Sequence, residues 1–374
     1  TAFGDTAVVT IARSGGEGFD LPRYVNQEMA NNPYFSYTNN SDEYADFEDG
    51  QGYLELTRPE KDMIELAKKT STKTIVVINA ANVFQLGDLQ DDPEIDAIVW
   101  AIPGGQVGFN ALGRILDGEV NPSAKTPDTF PRDIKAGPAA NNFGDFQYTN
   151  MTEFAQEDPF NKGTQTQPSF VNYNDSIYVG YRWYETAAAE GVIDYGNEVV
   201  YPFGYGLSYS SFEYSDLTVN EDGATLTVTN TSARDGAEVV QLYVSAPGGV
   251  FGPARELKGF TKAEVSAGES VSVTIPFDRY TFRHWEMSRA AWETEAGTWT
   301  IHVGRNVSDT PLSATVEVEG TTPSPIDPAL GHYLNADVAH VTNGEFAVLL
   351  GRTIPTAHPA DDLVASDPLS EMTR

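Results

Sequence analysis

"TAVVTIARSGGEGFD", residues 6–20, is the stretch on which the fold turns. Thr6 to Ala12 is a short, almost unbroken apolar run, which reads as a buried strand. It runs straight into Arg13, Ser14 and a glycine-rich loop that exposes Glu17, with Asp20 close behind. In open α/β sheets, ligands bind beyond the carboxyl ends of the strands, and glycines let a backbone approach a ligand closely. A titratable carboxylate at such a mouth is a candidate general acid. Solvated loop carboxylates are also common. Glu17 is the candidate catalytic residue, and Asp20 is read as a support for its loop.

The surrounding pattern repeats the strand-and-helix alternation. In "LTRPEKDMIELAKK" (56–69), Thr57 is the expected N-cap, Pro59 lies in the first turn and Glu60 occupies the capping-box position. Ile64 and Ala67, with Met63 beside them, supply an apolar stripe. "KTIVVINA" (73–80) and "IDAIVWAI" (95–102) read as two further strands buried on both faces, as in parallel sheets. "PGGQVGFNALGRILDG" (103–118) reads as a tight glycine turn feeding a helix that ends at Gly118. It lacks the full dinucleotide spacing and the Lys-Ser/Thr pair of a phosphate loop. Residues 121–175 read as ordered surface connection, and 176–191 as a helix. The aromatic run 199–215 reads as interdomain packing. From Leu217 the period changes to two: residues 225–230, 238–246, 269–277, 297–304 and 312–320 form short alternating strands. Val271, Val273 and Ile275 share one face, as do Trp299, Ile301 and Val303, which predicts a β-sandwich. In "VTNGEFAVLLG" (341–351), Thr342 and Glu345 form a capping box for a helix ending at Gly351.

At 374 residues the chain suits two domains with extended segments. Its 54 acidic and 23 basic residues give a formal charge of −31. Such a field repels phosphate backbones and anionic lipid, so neither nucleic acid nor membrane is expected as a partner. No apolar run approaches the roughly 20 residues of a membrane span. Cysteine is absent, which excludes disulfides and thiolate chemistry and is compatible with cytoplasm or exterior alike. His284, His302, His332, His340 and His358 lack ligand spacing and read as structural or solvated, so no metal and no cofactor is expected. Asn39, Asn150, Asn230 and Asn306 each open an Asn-x-Ser/Thr triplet, from which no compartment is read.

Several motifs together resemble the C-terminal portion of glycoside hydrolase family 3 β-glucosidases. These are "IARSGGEGFD" (11–20), residues 95–132, "YVGYRWYET" (178–186) and "YPFGYGLSYSSFEYS" (201–215), in the family's order. "AEVVQLYVSAP" (237–247), "RELKGFTKAEVSAGES" (255–270) and "GTWTIHVGRNV" (297–307) resemble its fibronectin type III-like domain. The resemblance implies an α/β sandwich domain over 1–210, incomplete at its N-terminus, and a fibronectin type III-like β-sandwich over 211–320. An extended tail with one short helix follows over 321–374. It further implies a retaining glycosidase whose (β/α)8 barrel, on another chain or a severed part of the same product, carries an aspartate nucleophile. Glu17 in "GGEGF" matches the family's acid/base glutamate, and Asp20 the aspartate that often follows. Val107 and Phe109 depart from the smaller or acidic residues common in that loop.

The reading that follows is part of a β-glucosidase acting on a β-glucoside or oligosaccharide. The isolated chain is expected to hydrolyse nothing, for want of a nucleophile. The alternatives are a β-xylosidase of the same family and a non-catalytic sugar-binding or scaffolding module. A flavodoxin-like nucleotide domain rests on fold analogy alone.

Overall fold

Three parallel strands organise the first part of the molecule: β1 (Thr6–Ala12), β2 (Lys73–Asn79) and β3 (Ala97–Trp100), in that spatial order. The structure, a computed structural model, describes residues 4–15, 21, 25, 37–141, 155–166, 173–286, 289–352 and 354. Ala12 pairs with Asn79, and Ile78 with Trp100, so the carboxyl ends of all three strands lie side by side.

Between β1 and β2 runs helix α1 (Arg58–Thr70). Thr57 caps it: its hydroxyl accepts from Glu60 N–H while the Glu60 carboxylate accepts from Thr57 N–H, the reciprocal box expected from the sequence. Such a cap stabilises a helix by about 1 kcal/mol. Ile64 and Ala67 bury against Val9, Ile11, Val76 and Ile78, whereas Met63 stays exposed. Burial on both faces holds for β2 only. Val8 on β1 is half exposed, and helix α2 (Phe109–Leu116) buries no residue. The reason is coverage: α1 packs on the face of Val9, Ile11, Val76 and Ile78, whereas on the opposite face Val77 in the central strand is buried but Val8 and Ala97 in the flanking strands are exposed.

Helix α3 (Tyr181–Ala189) begins later than its apolar pattern, because Gly180 ahead of it adopts φ +57°. It packs with the tail. Trp183 Nε1 donates to Ala336 O at 2.9 Å, and Tyr178 Oη donates to Tyr333 O at 2.7 Å. The capping box of Thr342 and Glu345 is formed on helix α4 (Asn343–Leu350), which ends at left-handed Gly351.

Seven strands build the sandwich: β4 (Phe212–Asn220), β5 (Gly223–Asn230), β6 (Gly236–Ser245), β7 (Glu256–Val265), β8 (Ser270–Pro276), β11 (Gly297–Gly304) and β12 (Leu312–Val318). One sheet has the order β7-β6-β11-β12, the other β8-β5-β4. Between β8 and β11 a hairpin stands apart from both sheets, made of β9 (His284–Glu286) and β10 (Ala291–Glu293). Val273, Ile275, Trp299, Ile301 and Val303 face the core, as their alternation requires. Asn230 and Asn306 are buried, and Asn230 Nδ2 donates to Arg234 O and Val265 O, so both residues are committed to the fold.

The aromatic run after residue 199 joins the sandwich to the α/β part. Phe203 stacks on Tyr181 at 4.4 Å, Val307 N–H donates to Phe203 O, and Gln241 Nε2 donates to Gly204 O at 2.9 Å. Interdomain packing is its role, as its composition suggested.

Candidate active site

The mouth formed by the ends of β1, β2 and β3 is where the fold would receive a ligand. Arg13 anchors it. Its Nε donates to Tyr53 O at 2.7 Å, Nη1 to Ala12 O at 2.9 Å and Glu60 Oε1 at 2.5 Å, and Nη2 to Glu55 O at 2.7 Å and Glu60 Oε2 at 2.6 Å. Every N–H of the guanidinium is used. Phe84, Tyr53 and Phe47 surround the cation, with ring centres 5.2, 5.6 and 5.8 Å away. Side-chain exposure is only 6% for Arg13 and 17% for Glu60, so the pair is a desolvated one made tolerable by complete hydrogen bonding. Glu60 thus serves twice, capping α1 and neutralising Arg13. The strand end that leads to residues 16–20 is thereby tied to the helix start and to the 53–55 segment.

A second knot braces that segment. Tyr37 Oη donates to Asp46 Oδ2 at 2.6 Å, and the backbone and side-chain nitrogens of Asn40 donate to the same oxygen at 2.8 and 2.6 Å. Burial pushes the Asp46 carboxyl up, but these hydrogen bonds outweigh it and hold the group below the usual range. The Tyr37 hydroxyl is driven well above its ordinary value by burial and by its bond to Asp46. Asp46 and Glu60 are therefore both committed to hydrogen bonds within the fold, which support the mouth.

The loops after β1 and β2 touch. A Cβ on Gly15 would lie 2.8 Å from Asn82 Oδ1, so a larger residue there would push the Asn82 side chain aside. Asn79 Oδ1, at the end of β2, is buried without a hydrogen-bond partner among the described residues. After β3, Gly108 N–H donates to Gly104 O at 2.9 Å, Gly105 has φ +59°, and a Cβ on Gly108 would sit 2.4 Å from Gly104 O. That amide is spent inside the turn, which is a strand-to-helix bend and not a phosphate cradle. Ile102, Val107 and Phe109 are exposed beside it.

Glu17 and Asp20, the residues singled out from the sequence, lie outside the described residues. The structure adds what the sequence pattern had not shown: Arg13 as anchor, the Tyr37–Asp46 knot and the orphan Asn79 oxygen. The only signal available for Arg13 was its position directly after a buried strand. Among the described residues no group of three His, Cys, Asp or Glu side chains is gathered as for a metal. His332 pairs with Glu345 at 3.0 Å, His340 with Asp337 at 2.7 Å, and His302 with Ser245 at 3.0 Å. His358 lies outside the described residues.

The glycosyl hydrolase family 3 C-terminal domain matches residues 2–209, more than half of the chain, and a fibronectin type III-like domain matches residues 238–307. The chain belongs to glycoside hydrolase family 3. This family 3 chain is 33% identical over 341 residues to β-glucosidase A of Butyrivibrio fibrisolvens, covering 83% of the chain and 37% of the relative. It is 34% identical over 274 residues to an exo-α-(1→6)-L-arabinopyranosidase of Bifidobacterium breve, covering 71% and 32%. The crystal structure of a β-glucosidase from Chaetomella raphigera superposes with a TM-score of 0.62 at 26% identity, covering 84% of this chain and 40% of that one. The chain spans about a third of the length of the curated relatives it matches.

Proposed function

We propose that the chain is part of a retaining β-glucosidase that removes terminal non-reducing β-D-glucosyl residues. Glu17 is its general acid/base, Asp20 supports the Glu17 loop, and a (β/α)8 barrel, on another chain or on another part of the same product, supplies an aspartate nucleophile. The observation that carries this reading is the family 3 match over residues 2–209, which spans the Glu17 loop. The Arg13 anchor supports it, because the loop departs from a strand end fixed by five hydrogen bonds.

The chemistry runs in two displacements. The barrel aspartate attacks the anomeric carbon, the glycosidic C–O bond breaks, and the leaving oxygen takes the proton of Glu17. Glu17, now a carboxylate, removes a proton from water as that water attacks the same carbon, and the aspartate departs. The two carboxyl groups should therefore lie about 5–5.5 Å apart. A general acid alone contributes roughly 10²–10⁴-fold, and without the nucleophile no glycosyl-enzyme forms. The 34% identity to an arabinopyranosidase favours a second reading, in which the same displacements act on an arabinopyranosyl unit.

The test compares para-nitrophenyl β-glucoside, β-xyloside and α-L-arabinopyranoside, using the chain with and without its barrel-bearing companion. The glucoside should be the best substrate of the assembly, and the chain freed of the companion should turn over none. Turnover by the companion-free chain, or an assembly inert towards the glucoside, would contradict the proposal.

A further inference from the structure

Of the five tryptophans, Trp183 and Trp299 are buried and Trp100 is tied to Ala80 O, but Trp285 and Trp292 are 47% and 56% exposed. They face each other across the β9–β10 hairpin as a cross-strand pair, ring centres 5.6 Å apart and nearly perpendicular. The Arg283 guanidinium lies over both the Trp292 ring at 4.7 Å and the Tyr280 ring at 4.0 Å, and Tyr280 is itself 44% exposed. Three large aromatic rings thus stand in one array on the solvent side.

The hairpin that carries them is rooted at both ends. Phe282 packs edge-on against Phe277 and Trp299 at 5.0 and 5.7 Å, and Lys258 Nζ donates to Arg283 O at 3.1 Å. On the return side, Trp299 Nε1 donates to Glu295 O at 2.9 Å, and Arg289 Nη2 to Thr322 O at 3.1 Å. The rings are held outward by a fixed base, although apolar surface of this size is ordinarily buried.

The chemistry around the rings selects the ligand. Residues 278–295 hold three arginines and four carboxylates, and with Glu295 buried three of each remain outside, so the patch offers donors and acceptors that balance in charge. An anionic ligand would meet the chain's −31 field. A purely apolar partner would strand the flanking charges away from water. A neutral pyranose chain suits both features: its C–H faces lie on aromatic rings, and its hydroxyls donate to carboxylates and accept from guanidinium groups.

We propose that the Trp285–Trp292 hairpin is an auxiliary binding site for a neutral β-linked glucan chain, set on the sandwich and outside the strand mouths. The β linkage rests on the proposed function; the pyranose preference does not. The site would retain polymeric substrate on the protein without taking part in bond cleavage.

The experiment is native affinity electrophoresis of the chain, with any companion polypeptide, through gels containing soluble mixed-linkage β-glucan. The parent should be retarded, and Trp285→Ala/Trp292→Ala should bind at least tenfold more weakly while keeping its circular dichroism. Should that variant misfold, N-bromosuccinimide oxidation of the parent decides: the two exposed tryptophans should react first, and the glucan should protect them. Glu17→Ala should lose turnover and keep full retardation, which separates failure of this site from failure of the catalytic assignment. No retardation of the parent, equal retardation of the double variant, unprotected tryptophans, or a double variant altered only in self-association would each overturn the proposal.

Discussion

Replacing Arg13 by Met tests whether the strand mouth is anchored as described. Methionine keeps an apolar stem among Phe47, Tyr53 and Phe84 but removes the charge and every donor. Three backbone carbonyls, of Ala12, Tyr53 and Glu55, lose their partner, and Glu60 is left desolvated opposite nothing. Breaking a buried pair by deleting one member costs about 3–5 kcal/mol. Glu60 keeps its bond from Thr57 N–H, so the lower end, about 3 kcal/mol, is expected. For a unit of this size that corresponds to a fall of roughly 6–12 °C in the midpoint of thermal unfolding. Differential scanning calorimetry should show this loss in the α/β transition and leave the sandwich transition in place. Arg13→Lys should fall between, since it keeps the charge and loses the forked geometry. The assembled enzyme should also lose kcat, because the Glu17 loop starts from this strand end. A Met variant that melts with the parent would refute the anchor.

His302 should make the sandwich acid-sensitive. Burial, and then the Arg255 charge, push it down to about 4 from an ordinary 6.5. The unfolded chain therefore binds this proton first, so its contribution is full above about pH 6.5 and is lost as pH falls towards 4. Urea midpoints at about pH 7 and pH 5 should converge in His302→Gln. Gly204→Ala should destabilise the interdomain contact by about 1–3 kcal/mol, because the new Cβ would lie 2.0 Å from Gln241 Oε1 at φ +79°. A double-mutant cycle with Gln241→Ser should recover part of that loss, and strict additivity would argue against the clash. Residues 211–320 should fold alone, since the sandwich core draws only on residues between Phe212 and Val318. An isolated fragment with no cooperative unfolding transition would contradict this.

What the sequence reveals follows the range of the interactions involved. The Thr57–Glu60 box, the Thr342–Glu345 box and the alternation in β8 and β11 depend on neighbours a few residues apart, and all are legible in the text of the chain. Burial on both faces, expected for residues 95–102, does not hold, because an apolar run does not show what covers each side: β3 has no fully buried residue. Arg13 carries no local signal beyond its place after a strand, since its partners at Tyr53, Glu55 and Glu60 lie at least 40 residues away. Asp46 resembled any other acidic residue in a polar segment until Tyr37 and Asn40 converged on it. Glu17 stood out for the opposite reason: its glycine flanks and its position after a strand are local, and the resemblance to a family motif is local too.

The most direct measurement of the central claim is the leaving-group dependence of Glu17→Ala in the assembled enzyme. A dinitrophenyl β-glucoside departs without a proton, so its first step should be spared and the covalent intermediate should accumulate for want of a base. Azide needs no base; it should accelerate turnover of that substrate and yield a β-glucosyl azide, whereas cellobiose hydrolysis should fall by roughly 10²–10⁴-fold and stay low. Asp20→Ala should show no azide rescue. If Glu17→Ala hydrolyses cellobiose nearly as well as the parent, Glu17 is not the acid/base and the account fails.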